Sequence, residues 1–142
     1  MKTHRDVMEA WFERVWTQQD ASAIDEMFVP DGKARGLGPN VLIGPEGFKQ
    51  FHSALCSLLS EFVITIDKSV ESGEWISAVC SLRAKDRKSG AAVLMTGSVM
   101  IRIVDEKLTE GYNHWDFIGL FTQLGLLPSG TFEKALSGER VY

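Results

Sequence analysis

Three side chains that can donate or accept protons stand two residues apart near the end of the chain: Tyr112, His114 and Asp116. On a β-strand, residues with this spacing project to one face, with neighbours about 7 Å apart. They could serve as hydrogen-bond donor, base and acid. Bulky apolar neighbours would leave the Asp116 carboxyl group poorly solvated, which favours a role as an acid. The spacing therefore predicts general acid–base chemistry at the end of a strand.

A purely structural role for the same residues is equally open. Asp is a favoured helix cap, and a short helix is predicted to begin near Gly119, so Asp116 could cap that helix. His114 would then lie exposed at the edge of the sheet. The alternate positions of the strand project to its opposite face: Gly111, Asn113, Trp115 and Phe117.

Helical periodicity predicts the elements that would position these residues from the other side. Residues 3–18 are predicted to form one helix with the apolar stripe Met8, Trp11, Phe12, Val15 and Trp16. Phe12 and Trp16 are candidate walls of a ligand site, although such a stripe is more often plain core. Around an ideal helix, Trp11 and Trp16 are not expected to point the same way together with Phe12.

The rest of the pattern predicts an α+β domain. A shorter helix carrying Ile24 and Met27 is expected to end at Pro30–Asp31–Gly32, and a third helix is predicted to run to about Ser60. The period then changes from about 3.6 to 2. Four antiparallel strands are predicted, over residues 62–68, 75–85, 91–104 and 108–117. Helices followed by a meander, with no linker, indicate one domain over residues 1–142 with helices packed on one face of a curved sheet.

Composition excludes several classes of partner. The formal net charge of −4 disfavours nucleic acid and anionic membranes, and no apolar run is long enough to span a membrane. No motif for metal, nucleotide or cofactor binding is present, so no metal and no cofactor are predicted. Cys56 and Cys80 lie in apolar contexts without metal-ligand spacing. Together with the absence of a signal-peptide pattern, they predict a cytoplasmic protein with two reduced thiols.

The segment Asn113–Gly125 resembles the C-terminal signature of the SnoaL-like polyketide cyclases. This family belongs to the nuclear-transport-factor-2-like (NTF2-like) superfamily, with the ketosteroid isomerases and limonene-type epoxide hydrolases. Other segments resemble the family in the same order along residues 8–128: Phe12–Asp20, Ile24–Asp31, Gly44–Gly47 and Glu71–Ala78.

The resemblance implies a conical barrel, in which a curved antiparallel sheet wraps around N-terminal helices and encloses a central pocket. In the polyketide cyclases, an Asp on the last strand acts as the general acid or base of an intramolecular aldol closure. A His two residues earlier lines the same pocket. Asp116 and His114 match these positions, and Phe12 and Trp16 would wall the cavity. A homodimer through the outer face of the sheet is the ordinary assembly of the superfamily.

Two positions depart from the family pattern. Arg35 stands near the place where a histidine often follows the first-strand aspartate, and Met100 lies on the penultimate strand where a polar residue is expected. With Tyr112 and Trp115, these residues complete the expected substrate contacts. The Arg-x-Asp pair of the epoxide hydrolases is not found, which disfavours water activation by two carboxylates.

Three functions therefore remain open. The first is a cofactor-independent enzyme (cyclase, isomerase or lyase) that uses Asp116 and His114 on a hydrophobic carbonyl compound. The second is a non-catalytic module that binds an apolar small molecule, and the third is a dimeric interaction domain whose cone is filled by its own side chains. The enzyme hypothesis requires Asp116 to lie inside a cavity of several hundred cubic ångströms. Finding the Asp116 carboxylate bound only to backbone amides of the following helix would contradict it.

Overall fold

The first helix begins with a reciprocal hydrogen-bonded cap. In this computed structural model, which describes residues 2–142, α1 spans His4–Trp11. The Asp6 amide donates a hydrogen bond to the Thr3 hydroxyl at 3.0 Å, and the Thr3 amide donates one to the Asp6 carboxylate at 3.0 Å. Both bonds use amide groups that a helix start otherwise leaves unpaired.

After α1 the helix changes type without ending. Residues Phe12–Thr17 form a π-helical segment, in which the Gln18 amide donates to the Glu13 carbonyl five residues earlier, at 2.8 Å. The single helix predicted over residues 3–18 is therefore correct in extent, but its second half is wider than an α-helix. α2 follows at Ala21–Met27.

One six-stranded sheet carries the rest of the fold, in the order β2-β1-β6-β5-β4-β3. Within residues 2–142, only the β1–β6 pair is parallel, and all other neighbouring strands are antiparallel. The predicted meander corresponds to the last four strands. The strand bounds are β1 Phe28–Arg35, β2 Leu42–Ile43, β3 Leu59–Ser72, β4 Trp75–Asp86, β5 Ala92–Val104 and β6 Lys107–Trp115.

The segment Pro30–Asp31–Gly32, expected to break the second helix, lies inside β1 instead. The pairing of β1 with β6 shifts register between Phe28 and Lys33, so Pro30 falls where the ladder is interrupted. A proline lacks the amide donor that a regular ladder needs, and such irregularities are where strands tolerate it. The turn-like composition therefore marks a bulge within a strand.

The sheet curls around the helices and stays open at both edges. β3, β4 and β5 have 14, 12 and 13 residues, and the β3–β4 pairing shifts register twice. Such bulges increase local twist and bend the sheet. The concave face packs against α1, the π-helical segment and α3, which spans Gly44–Leu58. This is the α+β conical architecture expected from the sequence.

Two short helices close the chain after β6: α4 at Phe117–Gln123 and α5 at Thr131–Leu136. The Gln123 side chain fixes α4 on the sheet, since it donates to the Leu94 carbonyl at 2.7 Å and accepts from the Leu94 amide at 3.0 Å. Within residues 2–142, no helix has the length and apolar character needed to cross a membrane.

Gly36 follows β1 directly, and its backbone lies very close to the backbone of Asn113 on β6. Its φ is +86°, and a Cβ atom there would overlap the Asn113 carbonyl oxygen. We expect Gly36→Ala to lower the free energy of unfolding by about 3 kcal/mol or more, because strain and overlap add. Urea denaturation measures this loss.

Gly38→Ala is the matched control. Gly38 also has a positive φ, +107°, but no atom lies within 4 Å of a Cβ built there. We expect Gly38→Ala to lower the free energy of unfolding by about 1 kcal/mol, the cost of backbone strain alone. Equal losses for the two variants would contradict the close approach of Gly36 to β6.

Candidate functional site

The inside of the cone contains a small aromatic cavity. This inner cavity has a volume of about 60 Å³ and lies between the helices and the concave sheet face. Its lining comprises Trp11, Phe12, Trp16, Phe28, Ala34, Leu37, Phe48, Phe51, Leu55, Ile64, Leu82, Met95, Ile101, Leu108, Glu110, Gly111, Asn113, Trp115 and Phe117.

An apolar depression, here called the vestibule, adjoins the inner cavity. Its volume is about 330 Å³, and it is lined by Leu37, Gly38, Phe51, Ala54, Leu55, Leu58, Phe117 and Phe121. Four residues border both spaces, which therefore adjoin each other: Leu37, Phe51, Leu55 and Phe117. The inner cavity alone is smaller than expected, and a drug-sized ligand would need both spaces.

The π-helical segment places three aromatic side chains on one side. Trp11, Phe12 and Trp16 all line the inner cavity, so the expectation that they could not point the same way is wrong. In an α-helix, at about 100° per residue, Trp11 and Trp16 would lie about 140° apart around the axis. Hydrogen bonds that close five residues apart widen the turn and bring positions i and i+5 toward the same side.

The strand β6 presents the opposite face from the one expected. Asn113 and Trp115 line the inner cavity, whereas Tyr112 pairs with the outward-facing Met100 and His114 is exposed. The expectation that His114 and Tyr112 face the cavity is therefore not met. Asn113 was missed as a site residue. The apolar residues that share its face, Trp115 and Phe117, were the signal that could have marked this face as the inner one.

Few residues of the lining carry polar side-chain atoms: the tryptophans Trp11, Trp16 and Trp115, together with Asn113 and Glu110. Among the described residues, no side-chain partner accepts from the indole N–H of Trp11, Trp16 or Trp115, and no fully buried side-chain nitrogen or oxygen lacks a partner. The indoles of Trp11 and Trp16, in side chains only 4% and 6% exposed, must therefore touch accessible space, and both line the cavity. The Asn113 amide donates one hydrogen bond to the Arg35 carbonyl at 3.0 Å.

Glu110 borders the inner cavity, but its carboxylate is directed to the outer face. It accepts a hydrogen bond from the Tyr112 hydroxyl at 2.9 Å and lies 3.8 Å from the Arg102 guanidinium. Arg102 alternates with the buried Ile101 and Ile103, so this group of side chains is on the convex side. Glu110 therefore contributes no acid to the cavity.

Asp116 caps α4 from an exposed position. Its carboxylate accepts a hydrogen bond from the Gly119 amide at 2.9 Å, and within residues 2–142 it has no other hydrogen-bond or ion-pair partner. Its own amide donates to the Thr96 carbonyl at 3.1 Å. This is the capping arrangement that the sequence left open as the alternative to catalysis.

The two remaining predicted contacts also lie outside the cone. Arg35 is exposed and pairs with Tyr112 in the parallel β1–β6 ladder. Met100 is 44% exposed between the buried residues Val99 and Ile101. Strand alternation explains both placements, because each is out of phase with its inward-facing neighbours. Of the predicted site residues, the cone brings together Phe12, Trp16 and Trp115.

His52 on α3 is buried and only 5% exposed. Its Nε2 atom lies 2.7 Å from the Val15 carbonyl oxygen of the π-helical segment and 3.6 Å from the Cys56 sulfur. Burial raises the pKa of the Cys56 thiol, and it raises the pKa of Cys80 to about 11. Neither thiol is therefore poised as a nucleophile at neutral pH.

Comparisons with known proteins agree with this geometry. A family model described as SnoaL-like polyketide cyclase matches residues 6–124. A solved structure from Jannaschia sp. CCS1, assigned to the SnoaL-like polyketide cyclases, is similar with a TM-score of 0.75 and 15% identity, over 88% of this chain and 93% of that chain. TsrD from Streptomyces laurentii has a TM-score of 0.72 and 21% identity, over 87% and 95% of the two chains.

A protein of ketosteroid isomerase-like fold from Catenulispora acidiphila DSM 44928, solved in complex with trimethylamine, has a TM-score of 0.73 and 17% identity, over 87% and 95% of the chains. A comparison with curated proteins finds no match. At these identities the structural similarities establish the fold, and the family model, which spans most of the chain, establishes the family. The chain belongs to the SnoaL-like polyketide cyclase family and has the NTF2-like fold.

Proposed function

We propose that the inner cavity and the vestibule bind a hydrophobic small molecule that carries a carbonyl group. The observation that carries this proposal is the lining: aromatic and aliphatic walls, with indole N–H groups and the Asn113 amide as the polar groups. Such walls favour an apolar ring, and N–H donors favour a ligand with an oxygen acceptor. A carbonyl group on an apolar skeleton meets both requirements.

The charge of the lining supports a neutral ligand. Glu110 is the one ionisable residue in the described lining, and its carboxylate is engaged by Tyr112 and Arg102 on the outer face. A charged ligand group would lose its hydration inside the cavity without gaining a partner, which is unfavourable. The proposed ligand places its carbonyl-bearing ring in the inner cavity and its remaining apolar part in the vestibule.

Ala34 offers a direct test, because it is buried and lines the inner cavity. Prodan, a fluorescent aromatic ketone, should bind the wild-type protein with a blue shift of its emission. We expect Ala34→Leu to weaken binding about tenfold or more, since the larger side chain occupies the space that the ring needs. A fluorescence titration measures the dissociation constants.

Ala91→Leu is the control for this titration, because Ala91 is exposed beside the β4–β5 hairpin and away from the lining. Its affinity for prodan should equal that of the wild type. Equal affinities for the wild type and Ala34→Leu would place the bound ketone elsewhere and refute the proposed site.

Acid–base catalysis by Asp116 and His114 is the second candidate. Membership in a polyketide cyclase family supports it, and so does the position of Asp116 directly before Phe117, which borders both the inner cavity and the vestibule. Asp116 would exchange a proton at the carbon next to the carbonyl group of a bound ketone, and His114 would assist as a base. Both residues are exposed, and the Asp116 carboxylate binds only the Gly119 amide, which is the arrangement that counts against the enzyme hypothesis. Ligand binding is therefore the better supported function.

Exchange of the methyl protons of acetophenone in D₂O, followed by NMR, tests this second candidate. If Asp116 is the acid–base group, the protein accelerates exchange, and Asp116→Asn reduces the acceleration by about 100-fold. Asn is also a good helix cap, so the variant separates the cap from the carboxyl group and should keep its thermal stability. Exchange no faster than in buffer would contradict catalysis by Asp116.

We propose further that the outer sheet face pairs with a second copy of the chain. Five apolar side chains on this face are exposed: Val63 at 54%, Val70 at 73%, Val79 at 51%, Leu94 at 45% and Met100 at 44%. Small polar residues such as Ser98 lie among them, together with the charged residues Lys68 and Arg83. An apolar patch of this kind supports a self-complementary interface.

Val79 lies between Lys68 and Ser98 in the ladder, near the middle of this face. Sedimentation of the wild type should give about twice the chain mass of 15.8 kDa. We expect Val79→Lys to sediment as a monomer, because a charge would be buried without a partner. Leu136→Lys, at an exposed position on α5, should remain a dimer. A monomeric wild type, or a dimeric Val79→Lys, would refute this interface.

A further inference from the structure

We propose that His52 is a positioning residue that sets the aromatic wall of the inner cavity. This inference rests on the proposed function, because it identifies the group that orients the binding surface. His52 itself is not part of the cavity lining. It acts on the π-helical segment from behind, by a hydrogen bond and by packing against Trp16.

The hydrogen bond occupies a carbonyl at the wide turn of the helix. Within the segment, the Glu13 carbonyl accepts from the Gln18 amide at 2.8 Å, and the Arg14 carbonyl accepts from the Asp20 amide at 3.0 Å. The next carbonyl, that of Val15, lies 2.7 Å from Nε2 of His52. A carbonyl oxygen can only accept, so Nε2 carries the proton. The side chain thus occupies a buried acceptor whose loss of a partner would be costly.

Packing adds a second constraint on the neighbouring residue. The imidazole ring lies 4.9 Å from the Trp16 ring, centroid to centroid, at an interplanar angle of 47°. Trp16 follows Val15 directly, so one side chain fixes both the backbone before Trp16 and the face of its indole. The Phe62 ring packs against the same indole, with 5.4 Å between the ring centroids. Trp16 is therefore held in one orientation from two sides.

The type of helix in this segment determines which aromatic side chains line the inner cavity. A π-helical turn is needed for Trp11 and Trp16 to line the same cavity, and a segment that reverted to an α-helix would rotate one of them away. By occupying the Val15 carbonyl, His52 favours the wide turn over the regular one. The shape of the inner cavity thus depends on a residue outside it.

A pair of amide variants tests this role. Gln can place its side-chain nitrogen near the position of Nε2, whereas Asn is one methylene shorter and cannot reach the Val15 carbonyl. We expect His52→Gln to bind prodan within about threefold of the wild type and His52→Asn to bind about tenfold more weakly. Ile76→Val, a buried sheet position outside the cavity lining, is the control for a general loss of stability. Equal prodan affinities for His52→Asn and the wild type would overturn the inference.

Near-UV circular dichroism of the ligand-free proteins separates this inference from the proposed function. The aromatic signal should be retained in His52→Gln and Ile76→Val and altered in His52→Asn. Only His52→Asn loses the hydrogen bond to the Val15 carbonyl that positions the aromatic wall. If wild-type protein failed to bind prodan, the proposed function would fail, while an altered spectrum confined to His52→Asn would still support the role of His52. Identical spectra for all four proteins would overturn it.

Discussion

Successive side chains of a strand point to opposite faces, so β6 can present either Asn113 and Trp115 or Tyr112 and His114 to the cavity, never both pairs. The first pair faces inward. Gly97, directly across the ladder from Trp115, makes this possible. A Cβ atom on Gly97 would lie 2.6 Å from two ring atoms of Trp115, so the missing side chain leaves room for the indole. The choice of which β6 side chains face inward therefore determines the chemistry available inside the cone.

The same constraint explains why the acidic residue lies outside. With Trp115 inward, the strand ends one residue before Asp116, whose carboxylate turns to the start of α4 and accepts from the Gly119 amide. A cap of this kind contributes on the order of 1 kcal/mol to helix stability. It also fixes the beginning of α4, and Gln123 fixes its end on β5. Asp116 thus helps to hold Phe117 and Phe121, which both line the vestibule.

Much of the fold was predictable because periodicity depends on local geometry. The helical stripe, the change to a period of two and the hairpin positions all have counterparts in the structure. The phase of β6 was not predictable in this way, since alternation defines two faces without saying which one is buried. Only the bulk of Trp115 and Phe117 carried that information. The acid–base chemistry that His114 and Asp116 could perform favoured the opposite face as the inner one.

Other errors have a common origin in long-range contacts. A helical wheel assumes a regular α-helix, so it could not place Trp11 and Trp16 on one side; the wide turn involves His52, which lies far away in the chain. Pro30 indicated a break, but β1 accommodates it where its pairing with β6 is interrupted. In each case a contact with a residue distant in the sequence, and not the local sequence, determined the structure that forms.

Two methionines of β5 lie on opposite faces of the sheet, so they report which face receives the ligand. Met95 is 3% exposed and lines the inner cavity, whereas Met100 is 44% exposed on the outer face. Acetophenone, irradiated in the presence of the protein, inserts into side chains that it touches, and peptide mass spectrometry locates the adducts. Adducts at Met95 and not at Met100 are the result that the proposed binding site predicts. Adducts at Met100 without any at Met95 would contradict it.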